Sequence, residues 1–304
     1  MHAKDRKRYK IQFLCDRFGV SKQAYYKRDA STLHADKARE EMAVTYALEA
    51  REKAPGMGGK KLWHMYKKEF AEGTPLGRDR FLDALDKYGL KLRQRKRKPR
   101  TTNSNHGFPL YVNLVKDIIP ERPNQIWVSD ITYIPIHYDG VHYKFSYLSV
   151  ILDSYSKEIV GWSLGDSLDT RYPIEALNQA LKRLESSDEV DKKLIHHSDR
   201  GCQYASHQYV SILKKNDIDI SMTETPDPKD NAQAERINNT IKNELLKGKR
   251  FKTIDEAKTE LASVIEFYNT KRPHMSLNFM TPLEASKCEG KIPKRWKSYR
   301  EEQG

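Results

Sequence analysis

The chain has 304 residues, of which 38% are hydrophobic and 32% charged, with a formal net charge of +13 at pH 7. That balance describes a globular, strongly charged protein rather than a disordered or membrane-embedded one, and the length suggests two or three units. No apolar run approaches the roughly 20 residues that span a bilayer, and the basic opening MHAKDRKRYK has no apolar stretch after it to make a signal peptide, so a cytoplasmic location is expected.

The three cysteines, Cys15, Cys202 and Cys288, are odd in number, far apart and outside any Cys-x-x-Cys pair, which argues against a disulfide framework or a cysteine zinc site. Charge is unevenly spread. Residues 1–120 hold 28 Lys/Arg against 14 Asp/Glu, and the remainder holds 27 against 28. The front end therefore suits a polyanion, which by charge alone can be DNA, RNA or a ribosome.

In chain order, IQFLCDRFGVSKQAYYKR (11–28) reads as two short helices around a turn at Gly19, with Phe13, Leu14, Phe18, Val20 and Tyr25 as a small apolar face and Ser21 as N-cap of the second. That is a helix-turn-helix pattern; a packing hairpin would look the same. Residues 36–53 are predicted helical, broken by the Pro55–Gly59 stretch, and helices resume over 60–70 and 78–88, where Leu62, Trp63, Tyr66, Phe81, Leu82 and Leu85 recur at helical spacing and Gly89 ends the pattern. In KLRQRKRKPR (91–100) seven of ten positions are basic, among them Arg93, Arg95, Lys96, Arg97 and Lys98. Such a run repels itself and is expected to be an extended linker that tracks phosphates, or else a merely solvated connector.

From Pro123 the pattern turns to strands. Runs 126–136, 142–153 and 157–164 read as three consecutive antiparallel strands, followed by a helix over 171–184, a buried strand LIHHSD over 194–199, a helix over 205–215, a strand over 218–223, a polar loop over 224–230 and a helix over 231–246. The expected fold is therefore α/β: a mixed sheet of three antiparallel strands and then parallel strands with helices, the order of ribonuclease-H-like domains, preceded by helical helix-turn-helix-like units. One more helix, over 255–268, and a basic tail complete the chain.

Three acids stand out. Asp130 interrupts a strand of Ile126, Trp127, Val128, Ile131, Tyr133 and Ile134, where a carboxylate is disfavoured unless compensated. Asp199 ends an apolar strand directly before Arg200 and Gly201, and carboxyl ends of core strands are where α/β sites form. Glu235 lies near the start of the 231–246 helix, opposite the apolar stripe Ala234, Ile237, Ile241 and Leu245, on a polar strip with Asn231, Asn238, Asn239 and Lys242. Taken singly they read as a satisfied core acid, a turn former and a solvated helix residue. Together, with 35 residues between Asp199 and Glu235, they form the D, D-35-E arrangement of metal-dependent recombinases. Phosphodiester cleavage needs an activated oxygen nucleophile and a neutralised leaving oxygen, tasks that two divalent ions roughly 3.5–4 Å apart on clustered carboxylates perform.

WVSDITYIP, YLSVILDSYSKEIVGW, LIHHSDRGCQYAS, DNAQAERINNTIKNEL and FYNTKRPHMSLNFMTPLEA resemble the successive blocks of insertion-sequence-three family transposases, in the second-reading-frame product with its retroviral-integrase-like core. The resemblance spans about residues 5–290, and the helical region 36–90 with PGMGGKKLWHMY is similar to the family's helix-turn-helix unit.

The resemblance implies a DNA transposase that cleaves and joins strands with two Mg2+ or Mn2+ ions held by Asp130, Asp199 and Glu235, with Asn239 and Lys242 on the element end near the reactive phosphate. It implies double-stranded DNA as partner, both terminal repeats and target, a homo-oligomer on DNA, a possible upstream-frame product, no membrane, and association with a bacterial nucleoid. It also implies a copy-out route in which one element end attacks the other to form a circle. The expected units are 1–30 and 31–90, both helix-turn-helix-like, a basic linker over 91–120, a catalytic core over 121–290 and a basic tail over 291–304. Two departures concern the loop over the DNA: ETPDPKDN has no glycine and aromatic before its Asp-Asn pair, and Arg236 and Ile237 stand where many members have Ser and Phe.

Asp153 reads as a turn residue beside Ser154 and Ser156 rather than a fourth ligand. His196 and His197 lack the companions of a zinc site, although His197 can position a water or phosphate; Gln203 and Tyr204 can touch DNA or begin a helix, and Arg272 and His274 fit packing better than DNA contact. The four tryptophans, Trp63, Trp127, Trp162 and Trp296, read as packing residues. Two alternatives remain: an inactive transposase-like DNA-binding regulator, and a ribonuclease H, which shares the core and leaves the front end unexplained.

Overall fold

The structure is a computed structural model and describes residues 10–23, 30–92, 107–116, 118–139, 142–185, 193–224 and 231–293. Arg93, Arg95, Lys96, Arg97, Lys98, Tyr25, Trp296 and most of the 224–230 loop lie outside the described residues.

Helices come first among the described residues. Helix α1 (Ile11–Arg17) ends before Gly19, whose φ of 64° is the left-handed turn expected there. Phe13, Phe18 and Val20 are exposed and Cys15 is buried, so the predicted apolar face is not closed by the described residues. Helix α2 (Ala30–Lys53) begins six positions earlier than its sequence pattern suggested, because no glycine or proline interrupts 30–53 and alanines recur through it. Helices α3 (Gly59–Glu69) and α4 (Arg78–Lys87) bury Leu62 and Tyr66, and Phe81, Ala84 and Leu85, against α2. The indole of Trp63 donates to the Leu76 carbonyl at 3.0 Å, a packing role as expected.

Five strands follow: β1 (Ile126–His137), β2 (Tyr143–Asp153), β3 (Ile159–Gly165), β4 (Ile195–Ser198) and β5 (Asp219–Met222). Their order is β3-β2-β1-β4-β5, with β1, β2 and β3 antiparallel and β1, β4 and β5 parallel, as the run order predicted. Helix α5 (Arg171–Glu185) crosses from β3 to β4; α6 (Cys202–Ala205) and α7 (His207–Lys215) connect β4 to β5. The predicted helix 205–215 is α7, which starts at His207 because the Ser206 side chain accepts from Tyr209 N and caps it; α6 is a separate turn before it.

Alternate residues of the strands feed two cores. On one face Ile134, Ile136, Leu148 and Val150 pack with α8 (Ala232–Thr240), α9 (Ile254–Thr270) and the front helices. On the other, Trp127 and Ile151 pack with α5 and α7. The stretch after the basic run touches both sides: the Phe108 ring meets His207 of α7 edge-on at 5.8 Å, whereas Leu114 N donates at 2.9 Å to Ser221 Oγ, which shares the other face with His197. Among the described residues no helix is long and apolar enough to cross a membrane.

Strand β3 meets α5 at Gly161, where an added Cβ would lie 2.1 Å from the Ala176 carbonyl oxygen. Gly161→Ala is therefore expected to cost about 1–3 kcal/mol, because two backbones must separate to admit a methyl group. An unchanged melting temperature by calorimetry would show that the pair has room.

Candidate active site

Because β4 runs parallel to β1 with Ser198 opposite Ser129, the next residues along both chains, Asp130 and Asp199, lie side by side. Asp130 is still inside β1; Asp199 is the first residue past β4. Both are half-buried. Asp199 Oδ1 accepts from Gly201 N at 3.0 Å, so it forms the turn that follows β4.

Glu235 is exposed on the first turn of α8. The stripe Ala234, Ile237, Ile241 and Leu245 is buried as the periodicity required. The polar strip is more divided than expected. Asn239 is exposed with Glu235, but Asn231 and Asn238 are buried and serve β1: Asn231 Nδ2 donates to the Ser129 carbonyl at 3.0 Å and Asn238 Nδ2 to Asp130 Oδ2 at 2.7 Å. After Thr240 the helix widens into a π-turn, Ile241–Leu245, which contains the half-buried Lys242. A continuous α-helix over 231–246 was expected and is corrected on this point.

The structure thus aligns the two aspartates and ties the Glu235-bearing helix to the strand that carries the first of them. Among the described residues, no three His, Cys, Asp or Glu side chains are grouped so as to hold a metal ion. The Asn238 amide and the Tyr204 hydroxyl lie near the aspartates. Three buried polar atoms there, Asn231 Oδ1, Asn238 Oδ1 and the Tyr204 hydroxyl, have no hydrogen-bond partner. Burial, then Tyr209, Asp130 and Asp199, push the Tyr204 hydroxyl well above its ordinary range. Carboxylate and amide oxygens are the ligands that Mg2+ and Mn2+ prefer, and unsatisfied buried acceptors beside them fit a hydrated divalent ion.

The histidines have other work. His196 Nε2 is 2.8 Å from Ser129 Oγ and 2.9 Å from Tyr209 Oη, and burial, with His197 adding, pushes its pKa down to about 3, so the ring is neutral. His197 Nδ1 is 2.9 Å from Ser221 Oγ in the sheet interior. Gln203 donates to the Leu168 carbonyl and Tyr204 is buried, so both fit packing rather than contact with DNA. Asp153 accepts from Asn124 N and Ser156 N, the turn role expected of it. Asn238 and Tyr204 are the residues that sequence reading undervalued; only the interruption of apolar surroundings by polar groups pointed to them.

Comparisons with known proteins agree with this geometry. Two models of the integrase core domain match residues 120–228 and 216–282. The chain is 34% identical over 276 residues to the 31 kDa protein of insertion element IS600 of Shigella sonnei, covering 88% of this chain and 96% of that one. It is 31% identical over 295 residues to the transposase for insertion sequence element IS629 of the same organism, covering 93% of each. The HTLV-2 integrase catalytic core domain superposes with a TM-score of 0.39 at 19% identity, covering 54% of this chain and 97% of that one. That likeness is slight, and the fold class rests on the strand order and the family match.

Asn231→Ala removes the amide that ties the start of α8 to β1 and leaves the Ser129 carbonyl without that donor. The expected loss of stability in urea unfolding is about 1–3 kcal/mol. A variant as stable as the parent would show that the helix is held by its apolar stripe alone.

Proposed function

The chain belongs to the insertion-sequence-three transposases of the second-reading-frame type, with an integrase core, and we propose that Asp130, Asp199 and Glu235 are the carboxylates with which this DNA transposase holds two Mg2+ or Mn2+ ions. Integrase-core enzymes are in general divalent-metal dependent, and proteins of this family act on DNA. The observation that carries the assignment is the register of β1 against β4, which brings two carboxylates onto neighbouring central strands, with a helix bearing a third tethered to β1.

Bound there, the ions supply Lewis-acid activation of an attacking oxygen and neutralise charge on the leaving one. The protein's part is placement. Asp130 and Asp199 are fixed by strand pairing, and the Asn238 amide orients the first of them. Glu235, on an exposed helical turn, would complete the set. Asn239 and Lys242, further along the same helix, contact the element end, the lysine as a point charge on phosphate. Two chemically alike steps follow: water opens the phosphodiester at an element end and leaves a 3′-hydroxyl, and that hydroxyl attacks a second phosphodiester in line. No covalent protein intermediate is needed, and the Tyr204 hydroxyl, held protonated, is no nucleophile. The terminal repeats and the target are both duplex DNA, engaged by a homo-oligomer and, where it is made, by an upstream-frame product.

Asp130→Asn, Asp199→Asn and Glu235→Gln should each reduce cleavage and joining of a labelled element end in Mg2+ to background while the end is still bound in a gel-shift assay. Full activity in any one removes that residue from the set. Replacing Arg93, Arg95, Lys96, Arg97 and Lys98 by glutamine should weaken binding and flatten its salt dependence by roughly 0.9 in log–log slope for each phosphate no longer neutralised. An unaltered slope would make the segment a spacer.

A further inference from the structure

The helix that bears Glu235 is fastened at both ends, and the far fastening reaches the front of the chain. Near its start Gln233 accepts from Lys157 Nζ at 2.7 Å and donates to Ser154 Oγ at 2.9 Å. At its end the π-turn closes with Leu246 N donating to the Ile241 carbonyl at 2.8 Å. Within that turn Glu244 is buried between two cations. Its carboxylate accepts from Lys61 Nζ at 2.9 Å and, from Arg272, from Nε at 2.7 Å and Nη2 at 3.0 Å. Lys61 belongs to α3 of the helical front; Arg272 follows α9 and is itself buried, with His274 Nε2 2.6 Å from its Nη1 and the Tyr268 ring beneath its guanidinium.

Backbone contact reinforces the ion cluster. Gly56, in the loop before α3, donates its N–H to the Glu244 carbonyl at 2.5 Å, and a Cβ there would lie 2.3 Å from the Asn243 carbonyl oxygen and 2.4 Å from Glu244 Cα. The Pro55–Lys61 segment is thus pressed directly onto the π-turn. Burial alone would raise the Glu244 carboxyl, but Arg272 and Lys61 outweigh it and keep it below its usual range. Removing Glu244 would leave Lys61 and Arg272 facing one another as like charges, whereas removing Lys61 leaves Glu244 with Arg272 and cuts its ionic link to α3.

A π-turn holds one residue more than the α-helical turn it replaces and is seldom stable without an external partner. Should it relax to α geometry with the Arg272 side held, the helix before it must turn by about 100° and shift about 1.5 Å, carrying Glu235 with it. We infer that Glu244, Lys61 and Gly56 are positioning residues that seat the helical front on the π-turn and thereby set where Glu235 stands relative to Asp130 and Asp199. The inference rests on the proposed role of those three carboxylates. It makes the attachment of the front end part of the assembly of the active site.

The test uses the full chain with Lys61→Met, which keeps the aliphatic stem and removes the charge, and Lys61→Arg, which restores it. Hydrogen exchange followed by mass spectrometry should show amides of 232–246 in Lys61→Met exchanging roughly tenfold faster, with β1 to β3 unchanged. Cleavage of an element end should lose about tenfold in kcat with KM for the DNA within about twofold, and Lys61→Arg should recover both. If Lys61→Met does not fold, Lys61→Gln, which keeps a donor to Glu244, replaces it. Unchanged exchange over 232–246, or a defect confined to KM, overturns the inference. The exchange arm does not depend on activity, whereas loss or retention of cleavage in Glu235→Gln judges the carboxylate assignment separately.

Discussion

Parallel pairing of β1 with β4 is the constraint on which the site depends. In a parallel ladder neighbouring backbones run about 4.8 Å apart with side chains of matched rows on the same face. With Ser129 opposite Ser198, the carboxylates one step further on share a face and a row. A slip of one residue would turn Asp199 to the opposite side of the sheet and leave Asp130 alone among apolar neighbours. The core forbids that slip. His196, in the same register, is hydrogen-bonded to Ser129 and Tyr209 on one face, and His197 to Ser221 on the other. Two buried imidazoles thus act as register pins, which gives the HH pair before the aspartate a structural role.

The third carboxylate is held on different terms. Strand residues are fixed by a ladder and two packed faces, while Glu235 is placed by a helix whose orientation depends on side-chain tethers to β1 and on the π-turn beyond it. A helix can pivot where a central strand cannot. The architecture therefore combines two invariant oxygens with one on an adjustable element, an arrangement suited to a site that must admit a duplex and then close on it.

Sequence legibility followed the range of the interactions involved. Strands β1 to β3 and helices α3, α4, α5 and α9 were read within a few residues, because each buries a face whose period is written locally. Asp130 was legible for the opposite reason, as a charge that breaks such a pattern. The π-turn was not, since Ala234, Ile237, Ile241 and Leu245 fall at ordinary α-helical spacing and the widening arises against Gly56, far away in the chain. Nor was the role of Asn238, whose partner is 108 residues distant. Ser206 was readable as a cap, and it starts α7 two residues later than the predicted helix 205–215.

Among the described residues, buried polar atoms without a hydrogen-bond partner occur along β1 and β2, at Thr132, His137, Ser146 and Ser149, and around the aspartate pair. A buried hydroxyl or amide oxygen without a partner costs roughly 1–3 kcal/mol, and native interiors rarely keep several together. Tyr204, Asn231 and Asn238 each keep one around the aspartate pair, although replacing Tyr204 by phenylalanine or Asn231 by an aliphatic residue would remove the cost. Glu244, by contrast, takes three hydrogen bonds from two cations. The open dipoles of Tyr204, Asn231 and Asn238 lie beside Asp130 and Asp199, and their unmet hydrogen-bonding capacity suits the water shell of a divalent cation and the oxygens of a phosphate better than it suits the protein by itself.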